Sequence, residues 1–173
     1  MTTMRTSPAR RPSRLGRRAG IALVASAGVL LTPLTAQASA PAPTAVAVSS
    51  APVAAPNAAA QVAVDTALAQ LGKAYVWAGA GPNVYDCSGL TQFAFAAAGI
   101  SLPHSSRVQS TMGTPVAREH LQPGYLVFFY SPVSHVGIYI GNGQMVNAPT
   151  RGDVVKISSV DSMYGFATAR RLA

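Results

Sequence analysis

A sharp change of composition near residue 57 limits which part of this chain can fold. Residues 39–56 are almost entirely Ala, Pro, Val, Thr and Ser, with four prolines and no charge, and such a segment cannot build an apolar core. All five acidic residues lie after residue 60. We therefore predict one folded domain over residues 57–173, which is an ordinary domain size, preceded by a flexible linker over residues 39–56.

The basic start of the chain has the three-part layout of a secretory signal peptide. An arginine-rich stretch is followed by an apolar run over residues 19–31 and then by small residues, with the preferred cleavage site after Ala38. A membrane anchor is the alternative, but the run is shorter than the roughly 20 residues that a spanning helix needs, and Pro33 interrupts its end. We predict a signal peptide over residues 1–38 and a secreted or cell-wall protein without stable membrane insertion. The paired arginines leave the twin-arginine export route open.

The positive charge of the chain is concentrated in this leader. The formal net charge is +8, but six of the 13 basic residues precede residue 19, so the remainder carries 7 − 5 = +2. Nucleic acid is therefore not expected as a partner. The single cysteine, Cys87, excludes an internal disulfide, so the fold must depend on core packing.

Apolar periodicity and capping residues predict three helices followed by strands. Asn57 can cap a helix that runs to about Leu71, and Asp86 can cap a second helix from Cys87 to about Ala98. A short third helix is expected over residues 105–112. The apolar faces predicted for the first two helices are Val62, Ala63, Leu68 and Leu71, and Leu90, Phe93, Ala94 and Ala97, respectively.

Beyond residue 124 the pattern is that of short strands. They are predicted at residues 125–130, 135–140, 144–148, 154–157 and 165–170. Gly141-Asn142-Gly143 is a strong hairpin signal between the second and third of these strands. Helices first and antiparallel strands afterwards indicate an α+β domain, with helices packed on one face of a sheet.

Cys87 is the candidate nucleophile because it is the predicted first residue of the second helix. The positive end of the helix dipole favours thiolate there, so we expect a lowered pKa. Ser88 and Gly89 are small, and a substrate carbonyl could approach the backbone N–H groups near them. The alternative is a buried structural cysteine.

His135 is the best candidate for a base among three histidines. It opens an apolar strand that could hold its ring rigidly, whereas His104 could line a cleft and His120 lies in a polar connection. Asn147, on the next strand after a tight turn, could face His135 and orient its imidazole through the amide oxygen. An ordinary polar role for Asn147 stays open.

Five motifs, in this order and spacing, resemble the NlpC family of bacterial cell-wall endopeptidases within the papain-like superfamily. They are QLGKAYVWAG at 70–79, DCSGL at 86–90, LPHSS at 102–106, LQPG at 121–124 and HVGIYIG at 135–141. The resemblance covers about residues 58–171. It implies a papain-like fold in which the nucleophile begins a helix that packs on an antiparallel sheet.

The resemblance also implies a reaction. The thiolate attacks an amide bond in the peptide stem of peptidoglycan, typically between D-γ-glutamyl and a diamino acid, and water hydrolyses the acyl-enzyme. Tyr75 corresponds to a residue that helps to bind or polarise the substrate, and Asp86 and Ser88 to residues that shape the cleft. Bordering positions are Ser105, Ser106 and Arg107. The chain departs from the family at Asn147, where His is frequent, and at Tyr125, where an acid is usual.

Two other functions compete with this one. A related papain-like fold can carry acyl transfer or amide cleavage on another wall or lipid substrate, and a wall-binding module with an inactive site is a non-enzymatic alternative. No cofactor is expected, and the scattered histidines show no metal-ligand spacing. We expect a monomer whose partners are the peptidoglycan stem peptides.

Overall fold

The computed structural model describes residues 53–173, so the predicted signal peptide and most of the predicted linker lie outside the described residues. The described helices are α1 Ala58–Leu68, α2 Cys87–Ala97 and α3 Ser106–Gln109, with 3-10 turns at Arg118–His120 and Val160–Ser162. The strands are β1 Thr114–Val116, β2 Leu126–Phe129, β3 His135–Gly141, β4 Gln144–Asn147, β5 Lys156–Ser159 and β6 Phe166–Arg171. No helix within residues 53–173 is long and apolar enough to cross a membrane.

The strands form one antiparallel sheet in the order β1-β6-β2-β3-β4-β5. The predicted α+β class is confirmed, with helices first and the sheet afterwards. Strand β1 was not predicted. Its three residues include Pro115 and are mostly exposed, so they carry no alternating apolar pattern. It pairs with β6 at the edge of the sheet, where a proline is tolerated.

Helix α1 buries only part of the predicted face, since Ala63 is buried and Leu68 packs partly buried against the core. Asn57 caps it as expected, since its side chain accepts a hydrogen bond from Ala60 N at 2.9 Å. The buried residues are Ala60, Ala63, Val64 and Ala67, whereas Val62 and Leu71 are exposed. Because the buried side chains are small, α1 can lie close to α2. This close packing stabilises the domain more than burial of the larger side chains would.

Helix α2 begins and ends close to the predicted residues, but its contacts also correct the prediction. Leu90 and Ala94 are buried as expected, whereas Phe95 is fully buried in place of Phe93, which is partly exposed, and Ala97 is exposed. The helix packs against α1 on one side and β3 on the other. With neighbours on two sides, its buried surface is wider than one apolar stripe.

The two faces of the sheet are covered differently. Leu126, Phe128, Val136, Ile138 and Val146 belong to the core shared with α1 and α2. A second cluster lies on the other face and contains Val127, Phe129, Met145, Val160 and Ala169. Because successive side chains of a strand alternate between faces, His135, which pairs with Phe129, faces the second cluster.

An irregularity in the β3–β4 hairpin sets the register of β4 against β3. The turn at Gly141 to Gly143 is confirmed, but the pairing shifts by one residue between Tyr139 and Gly141. Without that shift, Asn147 would lie opposite Ile138 and face the helices. With it, Asn147 lies opposite Gly137, on the same face as His135.

Gln109 joins α3 to the start of α2 through buried hydrogen bonds. It is fully buried, and its Nε2 donates to Ser88 O at 3.1 Å and to Pro103 O at 2.8 Å. Its Oε1 accepts from Thr91 Oγ1 at 2.7 Å. The amide therefore fixes the segment before α3 relative to the first turn of α2.

Replacing Gln109 with Ala should destabilise the domain strongly, because a fully buried amide and its three hydrogen bonds are lost together. We expect the free energy of unfolding to fall by roughly 2–4 kcal/mol. The measurement is denaturant unfolding of both proteins. Gln144→Ala, at an exposed position of β4, is the matched control and should change stability by less than about 0.5 kcal/mol. Equal effects of the two substitutions would contradict the role given to Gln109.

Candidate active site

An open cleft of about 300 Å³ lies where the start of α2 meets the start of β3. Cys87 comes from the first turn of α2 and His135 from the first residue of β3, so both positions are fixed by rigid elements. The other lining residues are Tyr75, Trp77, Ala78, Asp86, Ser88, His104, Ser105, Ser106, Ser134 and Pro149. Most of these side chains are polar, so the cleft suits a polar ligand.

The carboxylate of Asp86 organises the floor of this cleft. Oδ1 accepts from Gly89 N at 2.7 Å, which caps α2, and from Ser88 Oγ at 3.2 Å. It also lies 2.8 Å from His104 Nε2, and Oδ2 accepts from Ala78 N at 2.9 Å. One side chain thus joins the helix start, the loop at residue 78 and the loop before α3.

Gly89 is required for this arrangement. A Cβ at this position would lie 2.0 Å from Gly79 O, which accepts a hydrogen bond from Asp86 N at 2.8 Å. Only glycine therefore lets the loop at residue 79 approach the first turn of α2.

Cys87 does not have the lowered pKa that its position at a helix start predicts. Burial and the nearby negative charge of Asp86 raise the pKa of the thiol to about 11, against opposing effects of the backbone N–H groups of Val136, Ser88 and Cys87 itself. The thiol also approaches Ser134 O at 4.0 Å. Desolvation outweighs the helix dipole here, and the sulfur is neutral at neutral pH.

His135 is also neutral at rest. Burial lowers the pKa of its imidazole to about 4, and the side chain of Asn147 opposes this shift. Among the described residues, its Nε2 and the Oδ1 of Asn147 are buried without a well-formed hydrogen bond, although Asn147 lies close enough to affect the imidazole. These two atoms are a complementary donor and acceptor on the same face of the sheet.

Gly137 makes room for the approach of Asn147 to His135. It lies between the two along the sheet, and a Cβ at this position would come within 2.8 Å of Met145 Sδ and 3.3 Å of Asn147 Cβ. Asn147 is fully buried behind His135 and does not line the cleft.

Most of the residues predicted to bind substrate lie at the cleft. Tyr75, Asp86, Ser88, Ser105 and Ser106 line it, and Ser105 also caps α3. The exception is Arg107, which is exposed on α3 and does not line the cleft.

The hydroxyl of Tyr75 is a hydrogen-bond donor at the cleft. Burial raises its pKa, as do the thiolate that Cys87 forms at alkaline pH and the negative charge of Asp86, whereas Arg151 has the opposite effect. The phenol therefore stays protonated at neutral pH.

His104 was considered only as a cleft residue in the sequence, and its contact with Asp86 was not predicted. The two residues are 18 positions apart and belong to different loops, so no spacing rule connects them. Trp77 was also missed, although it lies within the first motif; it lines the cleft with 74% of its surface exposed.

The fold and this site together define a class. Helices packed on an antiparallel sheet, with a cysteine at a helix start and a histidine at the start of a neighbouring strand, are the arrangement of papain-like domains. The model of the NlpC/P60 family matches residues 72–170. The chain belongs to the NlpC/P60 family.

Individual relatives agree with this assignment. A probable endopeptidase of Mycobacterium tuberculosis is 50% identical over 102 residues, which is 59% of this chain and 26% of that protein. The chain therefore spans about a quarter of the length of this curated relative.

Two solved structures each match about two thirds of the chain. The NlpC/p60 domain of the peptidoglycan hydrolase SagA has a TM-score of 0.61 and 31% identity, over 65% of this chain and 98% of that one. RipD of M. tuberculosis, described as a non-catalytic NlpC/p60 domain protein adapted to peptidoglycan binding, has a TM-score of 0.60 and 30% identity, over 68% and 99%.

The raised pKa of Cys87 predicts slow alkylation of the native protein. The thiolate fraction near neutral pH should be about a hundredfold lower than for an ordinary cysteine, and the rate should rise with pH up to about 11. Iodoacetamide modification followed by mass spectrometry, from about pH 5 to 11, measures this, with the urea-unfolded chain as the control. A fast rate that is constant between about pH 5 and 8 would instead indicate a thiolate–imidazolium pair.

Proposed function

We propose that the protein is a secreted peptidoglycan hydrolase that cleaves an amide bond of the stem peptide through Cys87. The bond is the one between D-γ-glutamyl and a diamino acid. The observation that carries the proposal is that Cys87 and His135 line one cleft in a chain of the NlpC/P60 family.

The reaction begins with transfer of the thiol proton to His135. Since Nε2 of His135 is buried and the side chain of Asn147 interacts with the imidazole, we assign Nδ1 as the ring nitrogen that takes the proton of Sγ. Sγ then attacks the carbonyl carbon of the scissile amide, and its oxygen is stabilised by backbone N–H groups at the start of α2. The imidazolium donates its proton to the leaving amine, and water, deprotonated by His135, hydrolyses the thioester.

The resting charges of the site fit a reaction that starts only when substrate is bound. With a thiol pKa of about 11 and an imidazole pKa of about 4, proton transfer in the free enzyme is unfavourable. The bound carbonyl places its oxygen among the same N–H groups that approach Sγ, so the negative charge that develops in the reaction is stabilised where it forms.

The polarity of the cleft favours a stem peptide over a lipid substrate. Tyr75, Asp86, Ser88 and His104 present hydroxyl, carboxylate and imidazole groups to the ligand. Such groups can pair with the amino and carboxyl groups of a peptide stem, whereas an acyl chain requires an apolar channel.

A wall-binding module is the second candidate function, because RipD is a structural neighbour described as non-catalytic. Binding alone does not require a buried histidine such as His135, which lies near Cys87 and close to the side chain of Asn147. Burying both groups costs free energy that a module acting only through its surface could avoid.

Hydrolysis predicts release of stem-peptide fragments from purified peptidoglycan by the full chain. Cys87→Ala and His135→Ala should reduce the release by at least about a thousandfold, because the nucleophile and its base act as one unit. Mass spectrometry of the soluble products identifies the cleaved bond. His120→Ala is the matched control, since His120 is exposed on a 3-10 turn and does not line the cleft.

The outcomes separate the two functions. Release by the wild type and by His120→Ala, but not by the two site variants, supports the hydrolase. If the wild type co-sediments with insoluble peptidoglycan but releases nothing, the binding module is the better account.

A further inference from the structure

We propose that Ser158 is a positioning residue that fixes the side-chain amide of Asn147 so that its oxygen faces the imidazole of His135. The inference rests on the proposed function in one respect only, that His135 is the base. Ser158 lies on β5, outside every motif that pointed to the site.

The contact that carries the proposal is a single hydrogen bond. Asn147 Nδ2 donates to Ser158 Oγ at 2.9 Å. Asn147 is fully buried, and among the described residues this is the side-chain hydrogen bond that its amide makes. With Nδ2 directed to Ser158, Oδ1 is the end of the amide that remains for His135.

The sheet register explains why Ser158 can reach this amide. Asn147 pairs with Lys156, and Met145 pairs with Ser158. Asn147 and Ser158 are therefore diagonal neighbours on one face, a distance that short polar side chains can span. His135, Asn147 and Ser158 thus form a row across three neighbouring strands, β3, β4 and β5.

The orientation of the amide matters because it determines which ring nitrogen is protonated. An oxygen facing Nε2 requires a hydrogen on Nε2, which leaves Nδ1 unprotonated and able to accept the thiol proton. A rotated amide would present its NH₂ group to Nε2, and the ring hydrogen would then lie on Nδ1. In that state His135 cannot act as the base toward Cys87.

Ser158 does not line the cleft, so it acts through Asn147 and not on the substrate. Its loss should therefore lower kcat and leave KM unchanged. The same loss should shift the equilibrium between the two neutral forms of the imidazole.

The test compares Ser158→Thr with Ser158→Val, two side chains of nearly equal shape that suit a strand and differ in the hydroxyl. In the full chain, S158T should retain wild-type kcat on a synthetic stem peptide, and S158V should lose about tenfold with KM unchanged. Ser159→Ala is the control, because Ser159 lies on the same strand but caps the following 3-10 turn. Equal activity of S158T and S158V would overturn the proposal.

A double-mutant cycle shows whether Ser158 acts through Asn147. In an Asn147→Ala background, S158V should change kcat by less than about twofold, because the amide that it positions is gone. A further tenfold loss in that background would overturn the proposal.

The ring hydrogen gives a readout that needs no activity. In the protein labelled with ¹⁵N-histidine, NMR at neutral pH should place the His135 hydrogen on Nε2 in the wild type and S158T, and partly on Nδ1 in S158V. If the hydrogen shifts to Nδ1 only in S158V but the wild type cleaves no stem peptide, the positioning role is supported and the proposed hydrolase is rejected. An unchanged tautomer in S158V would reject the positioning role whatever the activity.

Discussion

The carboxylate of Asp86 is the interaction on which the rest of the site depends. It caps the N-terminus of α2 by accepting a hydrogen bond from Gly89 N, and it holds the loop at Ala78 by accepting a second one from Ala78 N. It also binds His104, so three segments that are distant in sequence meet at one side chain. A buried carboxylate with several donors is stable where it lies, and its position fixes the direction of α2 and hence of Cys87.

The same carboxylate disfavours ionisation of Cys87, the proposed nucleophile. Its charge adds to the effect of burial on the Cys87 thiol, and both outweigh the helix-start N–H groups that favour thiolate. The prediction of a low thiol pKa from position alone failed first because burial disfavours the thiolate, and then because a helix start supplies only a partial charge whereas Asp86 supplies a full one nearby. The residue that caps the helix thus adds to the effect of burial, which keeps the sulfur protonated.

Sequence patterns predicted those parts of the domain that local signals define. Asn57 and Asp86 are capping residues, so the starts of α1 and α2 were predicted correctly, and the glycines at 141 and 143 identified the hairpin. The buried face of α1 was predicted correctly only at Ala63 and Leu68, because packing of one helix on another selects for close approach and not for the largest side chains. The hairpin register also could not be read from the sequence, since the shift at Ile140 depends on pairing across two strands.

That register shift connects the fold to the chemistry. A one-residue change of pairing moves every side chain of β4 to the opposite face, so Asn147 reaches His135 only because the hairpin carries the irregularity. Gly137 places no side chain between them, and Ser158 contacts the amide from the next strand. The proposed base, the proposed orienting amide and a hydroxyl thus come from three strands whose relative positions are set by backbone hydrogen bonds. A neutral thiol faces this row, and a neutral thiol is also the less readily oxidised form. The protein is proposed to act outside the cell, where thiols are exposed to oxidation. Because Cys87 loses its proton only beside a bound substrate, it stays reduced between reactions and can still react when substrate binds.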